Sequence, residues 1–388
     1  MLLKGGLGCV KGVTKSIVSA TVSVENSRGR VIVITGPTAV GKSAAAISLA
    51  QRVNGEIISA DSIQIYRGLD VGSAKVTWAE RQNVPHHLLD IVNPTEEYTA
   101  ENFFHDAKMA ADTILARGRV PIVVGGSGIF LRWFLNGKLG SPKPTKEQAA
   151  TVSAFLSRLQ RKGESGWDEA IRYLAEADDI HTARRLKRGD WRGLRRALEI
   201  IEITYRPQTS LPSPLFPQVD YDLQCYFMYM DRKELHRRID QRCEEMLIGC
   251  SGRGLIEEAR WLLDLGIMPN TSPSSRAIGY RQAMDYLLAC KKSMDAASVP
   301  EFFSFLQQFQ GATRNYADRQ LTWFLGEDIF RWVDGSYPEN VVNLMEQEYW
   351  KKSKEPLSFS PSSFLESRRR MTSNLRARFG PQSYVELM

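Results

Sequence analysis

The sequence predicts an α/β fold: a P-loop core with a parallel sheet flanked by helices, a helical insertion domain and a helical C-terminal region. Three observations predict it. Short β-branched runs alternate with helical stretches from residue 30 to about 124, the pattern of strands joined by crossover helices. A Gly/Pro-rich break, GKLGSPKP at 137–144, is followed by an almost wholly helical stretch at 145–199. From 231 onward the apolar residues recur with helical spacing.

Taken in order, Arg30–Thr35 (RVIVIT) is a short apolar run closed by Gly36 and reads as a buried strand. SAAAISLAQRV, from Ser43, has helical composition and stops before Asn54 and Gly55. Glu56–Ala60 is a second strand. Ala100–Arg117 is a helix with Thr99 as N-cap and Gly118 as stop. RVPIVVGG is a third strand ending in a glycine pair, and YDLQCYFMYM (221–230) returns to strand character. Amphipathic helices are expected at 231–248, 254–265, 276–290 and 300–325. The expected domains are a basic leader at 1–29, the first part of the core at 30–139, the insertion at 140–195, the rest of the core with C-terminal helices at 196–350, and a basic Ser-rich tail at 351–388 without a fixed fold.

The net charge of +7 is unevenly placed. The leader carries +3 and the tail +5, which leaves residues 30–350 at −1. Net charge alone therefore does not make the core a nucleic-acid binder; local clusters have to carry that argument. The leader is basic, contains Ser and Thr and is almost free of acids, and reads as a transit peptide, or part of one, directed to the plastid. Cytoplasm and mitochondrion are the alternatives, as is a leader without targeting meaning. The five cysteines form no CxxC pair, which argues against a zinc module or a disulfide scaffold. No apolar run has the length of a membrane span.

GPTAVGKS (36–43) fits G-x-x-x-x-G-K-[ST], with a strand before it and a helix after it. Such a loop turns backbone N–H groups and a helix N-terminus toward phosphate oxygens. Gly36, Thr38 and Gly41 shape the loop, Lys42 adds a point charge, and the Ser43 hydroxyl is placed to bind Mg²⁺. The motif specifies a phosphate site, not a reaction. Asp61 follows the second strand, at the sheet edge where ligands bind in such folds. From its spacing alone it is equally a magnesium or proton acceptor, or a cap for the turn that follows. His86 and His87 have no zinc-ligand spacing and read as packing or hydrogen-bonding residues.

These segments, taken with ISADSIQIYRGLDVGSAK, PHHLLDI, PIVVGGSGIFLRWFLNG, SRAIGYRQAM and ATRNYADRQLTWF, occur in the order seen in tRNA dimethylallyltransferases (tRNA isopentenyltransferases). The resemblance spans about residues 30–335 and is strongest to the plant members. It implies that the loop holds the diphosphate of dimethylallyl diphosphate, and that the dimethylallyl group passes to N6 of adenosine 37 of tRNA, the cytokinin-type modification. It further implies that Asp61 is the base and that Ser127, where the family has threonine, hydrogen-bonds substrate near the reaction centre. Arg242, with Arg238, would clamp the diphosphate; the bland reading of Arg238 is a salt-bridged surface helix. Asp61, Ser62, Ile63 and Gln64 would meet the flipped adenine. Arg276, Gly279, Tyr280, Arg281, Arg319, Gln320 and Trp323 match further RNA-contacting stretches.

Residues 181–200 hold the densest basic cluster of the middle, with Arg192, Arg195 and Arg196 among its members, and suit phosphate contacts along a stem. Trp191 within it reads as core. Three residues depart from the family pattern: Gly193 and Leu325 stand where arginine is common, and Asp318 stands where lysine is usual. Each lowers positive charge on the expected RNA path. The partners implied are tRNA and dimethylallyl diphosphate, with a monomer as the acting species. Two other readings compete. An adenylate isopentenyltransferase would need no stem-binding surface, and a P-loop NTPase or small-molecule kinase would consume ATP.

Overall fold

The computed structural model describes residues 29–136, 145–177, 180–186, 188–204, 221–249, 253–293 and 298–351. The leader up to residue 28, the break at 137–144, Lys187 of the basic cluster and the tail from 352 lie outside the described residues.

Six parallel strands form one sheet in the order β3-β2-β4-β1-β5-β6. They are β1 (Gly29–Thr35), β2 (Gly55–Ser59), β3 (His86–His87), β4 (Val120–Val124), β5 (Tyr221–Tyr229) and β6 (Arg331–Asp334). β1 is central, with Ile34 opposite Val124 on one side and Tyr226 on the other. Its residues Val31–Ile34 are all fully buried. A parallel strand covered on both faces reads as a continuous apolar run because neither side meets water. Alternate side chains serve different cores. Ile32 and Ile34 join one apolar cluster, whereas Val31 and Val33 join the other.

The first cluster packs against α1 (Lys42–Val53), α8 (Arg232–Ile248), α9 (Leu255–Asp264) and α11 (Tyr280–Ser293). The second packs against α2 (Ala100–Ala116) and α3 (Gly128–Asn136). The long helix α12 (Val299–Phe324) feeds both: Phe305, Phe309 and Ala317 enter the first core and Phe324 the second. Its last turns therefore lie beside the sheet edge where β1, β2 and β4 end. The insertion forms α4 (Lys146–Gln160), α5 (Glu164–Glu176), α6 (Ile180–Arg185) and α7 (Trp191–Thr204) around a core of its own, with Leu156, Leu159, Leu174 and Leu194 at its centre. Trp191 packs edge-on against Trp167 at 5.2 Å, the core role expected of it. Thr99 caps α2 with a full capping box, also as expected.

The helix expected over 276–290 is instead α10 (Pro273–Arg276) and α11, separated by a turn at Gly279 with φ +91°. Four elements were not anticipated: the edge strands β3 and β6, the helix α3, and α13 (Pro338–Trp350), which docks on α1 through Arg52 to Asn343 at 2.6 Å and to Glu339 at 2.5 Å. His86 and His87 have hydrogen-bonding roles. His87 Nε2 lies 2.6 Å from Oε2 of buried Glu56, which also holds Arg117 and Arg119.

The segment that carries Asp61 continues through a loop to Val76, and two buried side chains pin it. Glu258 of α9, 3% exposed, accepts the backbone N–H groups of Asp70, Val71 and Gly72 at 2.8–3.0 Å and the Tyr280 hydroxyl at 2.7 Å. Lys75 donates to Tyr66 O at 2.9 Å and to Asp70 and Asp90 at 2.6 Å. Removing the Glu258 carboxylate strands several buried donors, each costing about 1–3 kcal/mol. Glu258→Ala is therefore expected to destabilise the protein by at least about 3 kcal/mol in urea unfolding. A loss under about 1 kcal/mol would show that the loop is held by other contacts.

Candidate active site

Thr35 ends β1 and its Oγ1 donates to Gly125 O at 2.8 Å, so the phosphate loop leaves the sheet tied to the end of β4. The loop meets α1 at Gly41, whose φ of 100° is a left-handed conformation that glycine adopts without steric cost. A side chain at Gly41 would meet nothing within 4 Å, so conformation and not space selects the glycine. The N-terminus of α1 carries no side-chain cap. Its first N–H groups are thereby left as donors for an anion. Lys42 Nζ donates to Pro37 O at 2.9 Å.

Two arginines of α8 face this loop. Arg242 donates through Nη2 to Thr38 Oγ1. Arg238 binds Glu234 at 2.9 Å and, with Lys42, Ser43 and Arg242, lines a cleft of about 700 Å³. Arg238 is thus salt-bridged, as its surface-helix reading expects, and it also faces the cleft. Burial, reinforced by the nearby Arg242 and opposed by the Asp61 charge, lowers the Lys42 pKa to about 7. Burial likewise lowers that of Arg242, which Asp61 opposes. Neither cation forms an ion pair among the described residues.

Asp61 lies just past β2. Its Oδ1 accepts from Ile63 N at 2.8 Å and Gln64 N at 3.3 Å, capping the turn. Its Oδ2 accepts no hydrogen bond among the described residues. Oδ1 thus serves the capping reading of the sequence, and Oδ2 is the oxygen left for the chemical one. Ser127 precedes α3; its N–H donates to Ala60 O at 3.3 Å, which sets it beside the Asp61 segment, and its hydroxyl has no partner among the described residues. The half-buried Ser43 hydroxyl is likewise without a partner there. Ser43 Oγ and Asp61 Oδ2 are hard oxygen donors of the kind Mg²⁺ takes alongside substrate phosphates. No cluster of three metal-ligating side chains exists among the described residues.

The residues expected to face RNA divide in two. Arg192, Arg276, Arg281 and Arg319 are exposed, and Trp323 is 38% exposed. Ser62 is half-buried. Tyr280, Gly279 and Gln320 are instead interior. The Tyr280 hydroxyl is taken by Glu258, and Gln320 spends both amide atoms inside the protein, accepting from Thr38 N and donating to Gly126 O, each at 2.9 Å. Gln64 is also committed, through Ser59 and the carbonyls of Ser73 and Ala74, and Ile63 packs on the core. Within the basic cluster, Arg195 donates to Ser153 at 2.6 Å, Arg196 pairs with Glu199 at 3.4 Å and Arg188 with Asp168 at 3.2 Å.

Two of the three departures have visible surroundings, and nothing in the structure explains Leu325. At Gly193 a Cβ would sit 2.6 Å from Asp190 Oδ2 and from Leu186 Cδ2. Asp318 pairs with Arg232 at 2.6 Å and lies 3.5 Å from His236 Nε2, so it locks α12 to α8. The structure adds residues that sequence reasoning missed. Arg132 lies over the Trp323 ring at 4.1 Å and pairs with Glu327. Burial, aided by the Asp61 charge, pushes the Tyr316 phenol pKa up. No local pattern announces either contact, because the partners are far apart in sequence.

A family model described as IPP transferase matches residues 64–327. The chain is 45% identical over 347 residues to tRNA dimethylallyltransferase 9 of Arabidopsis thaliana, covering 82% of this chain and 74% of that protein. It is 40% identical over 329 residues to the tRNA dimethylallyltransferase of Protochlamydia amoebophila (strain UWE25), covering 84% and 90%. Among solved structures, the tRNA isopentenylpyrophosphate transferase of Bacillus halodurans superposes with a TM-score of 0.58 at 30% identity, over 89% of this chain and all of that one. A eukaryotic dimethylallyltransferase acting on tRNA shares the fold, with a TM-score of 0.66 at 24% identity over 87% and 83%.

The Lys42 pKa has a measurable consequence. With the ammonium titrating at about 7, it is largely neutral at pH 8 in the free protein. A bound diphosphate places negative charge beside it and raises its pKa, so binding takes up a proton above pH 7 and affinity falls as pH rises. Below pH 7 the ammonium is already charged and this dependence disappears. Calorimetry with a diphosphate monoester at pH 8, in two buffers of different ionisation enthalpy, is expected to show proton uptake that Lys42→Arg abolishes. Equal uptake in both proteins would place the titrating group elsewhere.

Proposed function

The chain belongs to the IPP transferase family, and from that premise we propose that it transfers the dimethylallyl group of dimethylallyl diphosphate to N6 of adenosine 37 in tRNA. One observation carries the mechanism: Asp61, with one carboxylate oxygen uncommitted, follows β2 at the same sheet edge at which β1 leads into the loop that carries Lys42. A proton acceptor and a diphosphate-holding cation thus share one sheet edge.

The exocyclic amine is a weak nucleophile, because its lone pair is delocalised into the purine ring. It needs a base and a fixed approach. Asp61 Oδ2 takes the N6 proton as the N6–C1 bond forms. The C1–O bond breaks and the electron pair leaves with the diphosphate. Lys42, Arg242 and the N–H groups at the start of α1 hold the charge that builds on the leaving group. The Ser127 hydroxyl bonds substrate beside the reaction centre. We propose Mg²⁺ as the cofactor, held by Ser43 and the substrate phosphates; when bound it neutralises diphosphate charge. Taking the base out of its stack exposes the amine. The exposed Arg192, Arg276, Arg281, Arg319 and Trp323 are proposed to contact the RNA, the arginines along its backbone and the tryptophan by stacking.

The leader is proposed to direct import into the plastid, and a fusion of residues 1–29 to a fluorescent protein that stays in the cytosol would reject this. The acting species is proposed to be a monomer, which light scattering of the purified protein tests. Among the described residues no helix is long and apolar enough to cross a membrane.

Labelled donor supplied to tRNA and to ADP in parallel is expected to mark the RNA alone. Label on ADP and none on RNA would reject the RNA acceptor. Asp61→Ala is expected to slow transfer to an anticodon stem-loop by about 10²–10⁴-fold, the usual contribution of proton transfer. An unchanged rate would remove Asp61 from that role.

A further inference from the structure

Gln320 sits near the end of α12 and is 5% exposed. Its two hydrogen bonds reach two different loops: Thr38 N in the phosphate loop and Gly126 O in the turn before Ser127. One side chain thus bridges the ends of neighbouring strands β1 and β4. The fit is close on both sides. A Cβ at Gly126 would collide with Gln320 Nε2, and Thr38 is held in turn by Arg242 through its hydroxyl. The same stretch of helix has an outer face. Arg319 is exposed, and Trp323 is partly exposed beneath Arg132 while its ring covers Gly128 at the start of α3.

This arrangement leaves α12 little freedom to move independently of the phosphate loop. A shift of the helix either carries Thr38 and Gly126 with it or breaks two buried hydrogen bonds. We infer that Gln320 is a positioning residue that couples RNA binding on the outer face of α12 to the shape of the phosphate loop, so that RNA and donor bind cooperatively. The inference rests on the reaction proposed above. Its chemistry differs from an RNA contact, because a buried amide that serves two loops acts through them and not on the nucleic acid. Linkage makes the coupling reciprocal, so it is readable from the donor side alone.

The test is binding of dimethylallyl diphosphate with Mg²⁺ to the full chain by calorimetry. It is run with and without an anticodon stem-loop whose acceptor adenosine is replaced by purine riboside, which lacks the amine and cannot react. RNA is expected to tighten donor binding by about fivefold or more in the unaltered protein. In Gln320→Leu that ratio is expected to fall below about twofold, while RNA affinity without donor changes by less than about twofold. Gln320→Glu supplies the arm that a folding defect cannot mimic. It keeps an acceptor for Thr38 N and loses the donor to Gly126 O, and protonation of the buried carboxyl restores that donor. Its ratio, relative to the unaltered protein, is expected to climb as pH falls from about 8 to about 6. A ratio near one in the unaltered protein would overturn the inference. So would a ratio retained in Gln320→Leu, a pH-independent ratio in Gln320→Glu, or a large loss of RNA affinity in the absence of donor. Failure of the proposed reaction is seen separately, as an unaltered protein that binds both ligands yet never modifies natural stem-loop RNA.

Discussion

Two half-buried basic side chains, Lys42 and Arg242, both bonded to the phosphate loop, are the constraint on which this molecule depends. Burial lowers the pKa of both, the Arg242 charge lowers that of Lys42 further, and neither forms an ion pair among the described residues. Like charges at short range in a poorly hydrated cleft repel strongly, and only a fixed framework keeps them there. That framework is visible. Arg242 rides on α8, which α12 grips through Asp318 to Arg232, Arg314 to Asp240 and Gln310 to Glu244. Lys42 rides on α1, whose start is fixed by the sheet and by the bond from Gln320 to Thr38 N. The proposed diphosphate brings negative charge to both side chains and so favours their charged forms.

The rest of the core sets what lies opposite that anion. Parallel strands bring the ends of β1, β2 and β4 to one edge, and the residues just beyond them are Gly36, Ala60 with Asp61, and Gly125 with Gly126. Close backbone approach holds those ends together, as in the bonds from Ala60 N to Val124 O and from Gly125 N to Ile34 O. The Asp61 segment then runs outward under Glu258 and Lys75, which fix it by hydrogen bonds to main-chain groups. The proposed proton acceptor and the proposed leaving-group site are thus set by separate elements, and each has its own support.

The phosphate loop was legible in the sequence because its information is local: a motif, a strand before it and a helix after it. The parallel sheet and the insertion were legible for the same reason, through alternation and periodicity. Gln320, Tyr280 and Glu258 were not, because their partners lie far along the chain. Gln320 reaches residues 282 and 194 positions away, and Glu258 reaches back 186–188. A polar residue in a helical stretch looks solvent-facing until its distant partner is known. β3 was missed because it spans two half-buried histidines, too short to show a pattern. Counting charges also overstated the free basic surface, since Arg188 and Arg196 are paired and Arg195 is hydrogen-bonded. At Asp318 the charge lost from the RNA path is put to use between two helices, a purpose that composition cannot express.

The central claim is that the glycine-rich loop delivers a five-carbon allylic group to one purine amine. Mass spectrometry of nucleosides from an anticodon stem-loop incubated with the protein, Mg²⁺ and dimethylallyl diphosphate tests it most directly. The account predicts a C₅H₈ increment on the adenosine at position 37 and on no other nucleoside. Unmodified RNA, or the increment at another position, would contradict it.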